Sequence, residues 1–203
     1  MIEQPAPARR RGGRPPQLSR RDVITAAITV IDAEGLAALT MRRLATELGV
    51  TAMSLYRHVP NRDALLSAVV DMLAAAAITD LDDGWSWRRA VQEFAGGYRA
   101  MLLRHPRAVP LLATHPVTIE TGLALIDGVL RRFDAAGIGR DQALTVVQSV
   151  TVYTLGHALA QVGAPSEDDV PAGPVASTAD YYQQWYEAGL QAMVDGFHQR
   201  LAA

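Results

Sequence analysis

Apolar residues recur every three or four positions along most of the chain, which is the spacing of an amphipathic helix. The first such stretch begins behind Ser19, which with Asp22 resembles a capping box, and it ends near Gly35. A fourth helix is predicted to begin at Asn61. Further helical patterns run over about 85–104, 106–113, 119–136, 141–161 and 180–201, the last behind a connector at 163–179. No segment alternates with a period of two over a useful length, so the sequence predicts an all-α fold.

Two short helices are predicted between the first helix and the fourth. Thr40 can cap one of them and Thr51 the other, and Gly49 can adopt the left-handed conformation that ends the first. Ala45 supplies the small side chain needed where such helices cross, and Leu55 anchors the second helix to the core. Two short helices joined by a tight glycine turn form a helix-turn-helix, whose second helix enters the major groove of DNA.

Charge is distributed unevenly along the chain. Residues 1–63 contain ten arginines and six acidic residues, a net charge of +4, whereas the remainder carries −6. A basic N-terminal segment on an acidic body favours contact with a polyanion. Residues 1–17 are rich in Pro, Gly and Arg, and we expect them to form a disordered basic arm. Arg11 and Arg14 of this arm are candidates for the minor groove, and a solvated tail without function is the alternative.

The composition and the motifs exclude several classes of protein. Without cysteine the chain has no disulfide, thiolate metal site or thiol nucleophile. We see no uninterrupted apolar stretch of the roughly 20 residues that cross a bilayer and no signal peptide, so we expect a cytoplasmic protein without a membrane partner. A glycine-rich phosphate loop and an HExxH pattern are also missing from the sequence. An all-helical enzyme is therefore the weaker hypothesis, and no cofactor or metal is predicted.

The helix-turn-helix stretch resembles the TetR (tetracycline-repressor) family of bacterial regulators. The matching residues are LTMRRLATELGVTAMSLYRHVPNRDALL (39–66), preceded by AITVIDAEGL (27–36). The resemblance implies a three-helix DNA-binding domain over 18–63 and a helical ligand-binding and dimerisation domain over 64–203. It also implies a homodimeric repressor that a small-molecule inducer releases from an inverted-repeat operator on double-stranded DNA.

The same resemblance implies which residues contact DNA. Arg42 corresponds to a position that can read a guanine, and we favour it over Arg43, because neighbours lie about 100° apart on a helix and at most one points well into the groove. The base-facing positions of the recognition helix are Ala52, Met53 and Ser54. The remaining candidates, most of them phosphate-binding, are Thr40, Thr51, Tyr56, His58 and Arg62. The alternatives are that Tyr56 packs beneath the short helix and that His58 bonds a neighbouring carbonyl.

Candidate ligand-binding side chains lie in the C-terminal body, where the resemblance implies an internal cavity. They are Phe94, Tyr98, Met101, His105, His115, Gln148, Thr151 and His157. Such residues are more often plain core than a ligand site, and both interpretations stay open. A pocket built from them would favour a small, largely apolar and partly aromatic effector. Gly156 and Gly189 would allow close helix packing in a dimer interface. A DNA-binding architectural protein without small-molecule control is the competing hypothesis.

Overall fold

The computed structural model describes residues 18–77, 81–82, 84–163 and 179–202. These ranges contain α1 (Arg20–Glu34), α2 (Met41–Glu47), α3 (Ala52–Tyr56), α4 (Arg62–Ala75), α5 (Trp87–Arg104), α6 (Val109–Thr114), α7 (Ile119–Ala135), α8 (Arg140–Val162) and α9 (Ala179–Ala202). No strand occurs in these ranges, and the predicted all-α fold is confirmed. The predicted basic arm, with Arg11 and Arg14, and most of the predicted connector lie outside the described residues.

Side-chain caps set the starts of the first four helices, as the sequence predicts. The Asp22 N–H donates to Ser19 Oγ at 3.2 Å, and the Ser19 N–H donates to Asp22 Oδ2 at 2.9 Å, which completes the capping box of α1. Single side-chain caps begin α2, α3 and α4, and they are Thr40, Thr51 and Asn61. Each cap satisfies a backbone N–H that has no partner within its own helix.

One apolar core joins the first four helices to the body of the protein. Its fully buried members include Val23, Leu44, Leu55 and Leu65 from α1–α4, and Met101, Leu102 and Leu111 from α5 and α6. Close-packed side chains of this kind transmit displacement instead of absorbing it. The helix-turn-helix therefore sits on the body as part of a continuous packed unit.

A second core lies among α5, α7, α8 and α9. Trp87 stacks on Phe133 with their ring centroids 4.8 Å apart, and Val150 and Val194 are buried beside them. By length and composition α8 could cross a membrane, which the expectation from the sequence did not allow for. A core helix has the same composition, and α8 packs against α5, α6, α7 and α9.

Polar contacts tie the end of α1 to the body. His105 Nδ1 lies 2.8 Å from Asp32 Oδ2. Arg107 donates to the backbone carbonyl of Asp32 at 3.1 Å and also to that of Ala33. These carbonyls lie at the C-terminal end of α1, where a cation is favourably placed. The orientation of α1 on the body is thus fixed by directional contacts as well as by apolar packing.

We expect Asn61→Ala to lower the free energy of unfolding by about 1 kcal/mol, because the N–H of Ala64 loses an acceptor at the start of α4. In the native protein this hydrogen bond is 2.8 Å long. Asn61→Ser keeps a capping oxygen and should lose less stability. Urea denaturation at one fixed protein concentration compares the two variants, and equal stability of both would contradict the capping role.

Candidate nucleic-acid interface and ligand cavity

A glycine turn holds α2 and α3 together in a tight pair. Gly49 has a φ of +63°, the left-handed conformation that the sequence predicts. Beyond the turn, the N–H of Val50 donates to the carbonyl of Ala45 at 3.0 Å. Ala45 and Leu55 are buried as expected, at 5% and 0% exposure. Because one face of α3 is anchored in this way, its other face lies on the surface.

The free face of α3 carries two of the predicted DNA-contacting residues, Met53 and Tyr56. Met53 is 76% exposed and Tyr56 is 45% exposed, whereas Ala52 and Ser54 are half-buried. The exposure of Tyr56 does not support the alternative in which it packs beneath the helix. An exposed thioether offers an apolar surface that suits the methyl group of thymine in the major groove.

The two neighbouring arginines of α2 differ sharply in their surroundings. Arg43 Nη2 lies 2.5 Å from Glu34 Oε1 and 2.8 Å from Glu47 Oε2. Hydrogen bonds from Arg43 lower the pKa of the Glu34 carboxyl, so the pair stays charged. Arg42 is exposed, and its guanidinium contacts no acidic group in the described part of the chain. This arrangement agrees with the choice of Arg42 as the DNA-reading residue.

Four further candidates lie beside α2 and α3. Arg62 is exposed at the start of α4, and its Nε donates to the carbonyl of Leu39 at 3.2 Å, while its Nη groups bond none of the described residues. His58 is half-buried at the end of α3 and forms no side-chain hydrogen bond to a carbonyl within the described ranges. Thr40 and Thr51 are exposed at the helix starts that they cap. All four residues lie close in sequence to α2 and α3.

A cavity of about 170 Å³ lies between α4, α5, α6, α7 and α8. Its walls include Val70 and Ala74 of α4, Tyr98 of α5, His115 after α6, Leu125 of α7 and Thr151 of α8. Burial raises the pKa of Tyr98 to about 12, so its phenol stays protonated and can donate a hydrogen bond. Larger grooves of about 290 and 330 Å³ open on the outer sides of α7–α8 and α8–α9, and no residue of α1–α6 lines them.

Comparison with known proteins identifies the family. Residues 23–69 match the family model "Bacterial regulatory proteins, tetR family", and residues 80–178 match "Tetracyclin repressor-like, C-terminal domain". An HTH-type transcriptional regulator of Saccharopolyspora erythraea is 31% identical over 182 residues, which cover 90% of this chain and 76% of that relative. The chain belongs to the TetR family. It is therefore a DNA-binding transcriptional regulator.

Solved structures of TetR-family proteins share the fold. ActR of Streptomyces coelicolor, solved in complex with actinorhodin, has a TM-score of 0.80 and is 25% identical, with 94% of this chain and 100% of that chain covered. BioQ, solved with its natural double-stranded DNA operator, has a TM-score of 0.66 and is 32% identical, with 89% and 98% covered. The TetR-family architecture predicted from the sequence is thus confirmed.

The cavity of this TetR-family protein brings together Tyr98, His115 and Thr151 from the predicted ligand set. The other predicted residues lie elsewhere: Phe94 in the second core, Met101 in the shared core, His105 beside Asp32, Gln148 on the surface and His157 among aromatic rings. Sequence reasoning missed Val70 and Ala74, because their helical spacing is that of ordinary core residues. Among the described residues, no three His, Asp or Glu side chains lie together as metal ligands.

Buried His157 forms part of an aromatic cluster between α8 and α9. Its ring centroid lies 4.7 Å from that of Trp185 and 5.2 Å from that of Tyr186. Neither ring nitrogen has a hydrogen-bond partner among the described residues. Burial lowers the pKa of His157, and the charge of nearby Arg99 lowers it further. The folded protein therefore holds this imidazole in its neutral form.

We expect acid to destabilise the protein through His157. An unfolded histidine titrates near pH 6.5, whereas the folded state resists protonation, so the free energy of unfolding falls as the pH drops below about 6.5. His157→Phe keeps a ring in the aromatic cluster and removes the titration. Melting temperatures at pH 7.5 and pH 5.5 compare the two proteins. The parent should lose more stability than the variant, and equal losses would contradict the assignment.

Proposed function

We propose that this TetR-family protein is a cytoplasmic, homodimeric repressor that binds an inverted-repeat operator and is released by a small, largely apolar effector. The observation that carries the proposal is the position of α4. Its first residue, Arg62, lies at the predicted DNA-facing surface, and its later residues Val70 and Ala74 line the cavity. Along this continuous helix, Arg62 is roughly 12 Å from Val70 and roughly 18 Å from Ala74. An effector that displaces the cavity end of α4 would therefore displace its DNA end.

DNA recognition is assigned to the two helices of the helix-turn-helix. Arg42 reads a guanine through its two-pronged guanidinium, and Met53 at the exposed face of α3 contacts bases with Ala52 and Ser54 beside it. Phosphate contacts fix the protein on the duplex. They are assigned to Thr40, Thr51, Tyr56, His58 and Arg62. The exposure of Arg42 and Met53 supports these assignments.

Pairing of two copies is assigned to α8 and α9. On α8, Val152 is 70% exposed and Leu159 is 40% exposed, with exposed Gly156 between them on the same face. On α9, Trp185 is 46% exposed. A core helix that also exposes an apolar face suits a four-helix bundle between two subunits. Such a two-fold pair would place two recognition helices on an inverted repeat.

The two glycines predicted to permit this packing have different surroundings. A Cβ on Gly156 would meet open space, so a helix of the partner can approach it. A Cβ on Gly189 would collide with the Tyr153 hydroxyl of the same chain. Tyr153 donates from this position to the carbonyl of Tyr186 at 3.1 Å. Gly189 therefore serves the contact between α8 and α9 within one subunit.

The cavity sets the chemistry of the effector. Its volume of about 170 Å³ is close to that of an engineered apolar cavity of about 150 Å³ that binds benzene. It holds about one aromatic ring, and a larger effector would have to widen it. The Tyr98 hydroxyl can donate to an acceptor on the ring. His115 lines the same cavity, and its Nε2 lies 3.9 Å from Asp63 Oδ1 in the first turn of α4.

Release from the operator demands a large shift in the populations of the two conformations. To change operator occupancy from nearly full to nearly empty, the effector must prefer the released conformation by about 5.5 kcal/mol, roughly ten-thousandfold. A ligand that only occupied the cavity equally well in both conformations would leave the operator bound. In the proposed mechanism, the two conformations differ in the position of α4, and the effector must bind the displaced position more tightly.

We expect Arg42→Ala to weaken operator binding by about 1 to 3 kcal/mol and to relax the base preference at one pair of each half-site. Arg62→Ala should instead weaken all sequences similarly and reduce the salt slope by about one per subunit. Arg131→Ala, an exposed position on α7, is the matched control. Fluorescence anisotropy with operator variants at several salt concentrations measures each effect. If Arg42→Ala has the same relative affinities for all operator variants as the parent, the assignment of the base contact to Arg42 is wrong.

We expect Leu125→Trp to abolish the response to effectors while operator binding persists, because the larger ring fills the cavity. Leu123→Trp is the control, since Leu123 lies on the same helix and is 45% exposed. A panel of single-ring aromatic compounds is screened for release of operator and for a rise in melting temperature. A compound that acts equally on both variants would place the effector site elsewhere. Failure of every compound with the parent would contradict a single-ring effector.

A further inference from the structure

Two carboxylates from different helices hold Arg43. Glu34 is the last residue of α1, and Glu47 is the last residue of α2. The Arg43 Nε donates to Glu34 Oε1 at 3.0 Å, and its Nη2 reaches both acids. The side chains of Arg43, Glu34 and Glu47 are 33%, 38% and 36% exposed, so the cluster lies at the protein surface. The guanidinium is thus directed toward the α1–α2 junction, while its neighbour Arg42 is left free.

The position of Glu34 is itself fixed from the other side. The two residues before it, Asp32 and Ala33, are bonded by His105 and Arg107 of the body. The end of α1 therefore cannot follow Arg43 toward a ligand without breaking these contacts. Of the two acceptors of Arg43, Glu34 is therefore the one whose backbone is held by the body.

We propose that Glu34 and Glu47 determine the specificity of DNA binding by withholding Arg43 from the DNA backbone. An arginine free to contact a phosphate strengthens binding to every sequence, since backbone contacts carry no base information. Binding to unrelated DNA consists almost entirely of such contacts. One more arginine on the backbone therefore lowers the ratio of the affinity for the operator to the affinity for competitor DNA. The two acids leave Arg42 as the arginine of α2 that reaches DNA. This inference rests on the proposed operator binding.

The test releases Arg43 and then removes it. The first variant is Glu34→Gln with Glu47→Gln, which keeps the side-chain shapes and abolishes both ion pairs. The second adds Arg43→Gln to these substitutions, and the third carries Arg43→Gln alone. Binding to an operator duplex and to a scrambled duplex is measured by fluorescence anisotropy between 50 and 200 mM salt. Circular dichroism melts establish that each variant is folded. Where the first variant does not fold, Glu47→Gln alone replaces it.

We expect the first variant to bind the scrambled duplex more tightly, with a salt slope steeper by about 0.9 per subunit. This corresponds to an additional loss of affinity of about 3.5-fold per subunit across that salt range. The second variant should return to the parental slope, and Arg43→Gln alone should not change it. The ratio of operator to competitor affinity should fall in the first variant only.

Four results would overturn the inference, the last of them through the proposed function. If the second variant keeps the gain in affinity, the gain comes from lost acidic repulsion and not from Arg43. If Arg43→Gln alone flattens the slope, Arg43 already contacts phosphate in the parent. If the first variant keeps the parental salt slope and the parental ratio of operator to competitor affinity, the two acids do not keep Arg43 from the DNA backbone. A parent that fails to distinguish the two duplexes would overturn the proposed operator binding itself, and this inference with it.

Discussion

The structure depends on the burial of α4 in a core that it shares with both ends of the molecule. Leu65, Leu66, Val69, Val70 and Leu73 are at most 3% exposed, and they pack with residues from α1 and from the body. Interiors packed to this density resist compression, so α4 moves only with its neighbours. The start of the same helix lies at the surface beside α2 and α3. A packed helix with one end at this surface and one side in the cavity is suited to couple events at the two places.

Polar contacts complement this packing at the edges of the core, where directionality matters most. His105 and Arg107 orient the end of α1, and the N–H of Thr118 donates to Asp71 Oδ1 of α4 at 2.9 Å. Apolar packing alone permits small rotations of a helix about its axis, whereas a hydrogen bond to a fixed partner does not. The DNA-binding helices therefore keep a defined orientation relative to the cavity.

The two arginines of α2 have different electrostatic surroundings. Arg42 and Arg43 have the same chemistry and adjacent positions, yet one faces open solvent and the other bridges two acids. The difference comes from what α1 and the end of α2 place nearby. Elsewhere, α8 and α9 expose apolar residues such as Val152 and Trp185. The exposed charge and the exposed apolar side chains named here thus lie on different helices.

Short signals in the sequence are enough to define the local architecture. Helix starts at Ser19, Thr40, Thr51 and Asn61 depend on side chains within three residues of the cap, and the turn at Gly49 depends on its own backbone freedom. The family resemblance likewise lies in two neighbouring stretches, 27–36 and 39–66. Because each of these signals spans only neighbouring residues, the order and spacing of side chains along the chain suffice to predict them.

The surroundings of each side chain, in contrast, were decided by the tertiary structure. The cavity is the space left between five helices, so its lining includes Val70 and Ala74, which look like ordinary core residues in the sequence. The histidines have identical chemistry, yet His115 lines the cavity, His105 bonds Asp32 and His157 is buried among aromatic rings. Arg43 is held by Glu34 because two helices cross. These outcomes depend on contacts between residues distant in the chain, and local spacing carries no information about them.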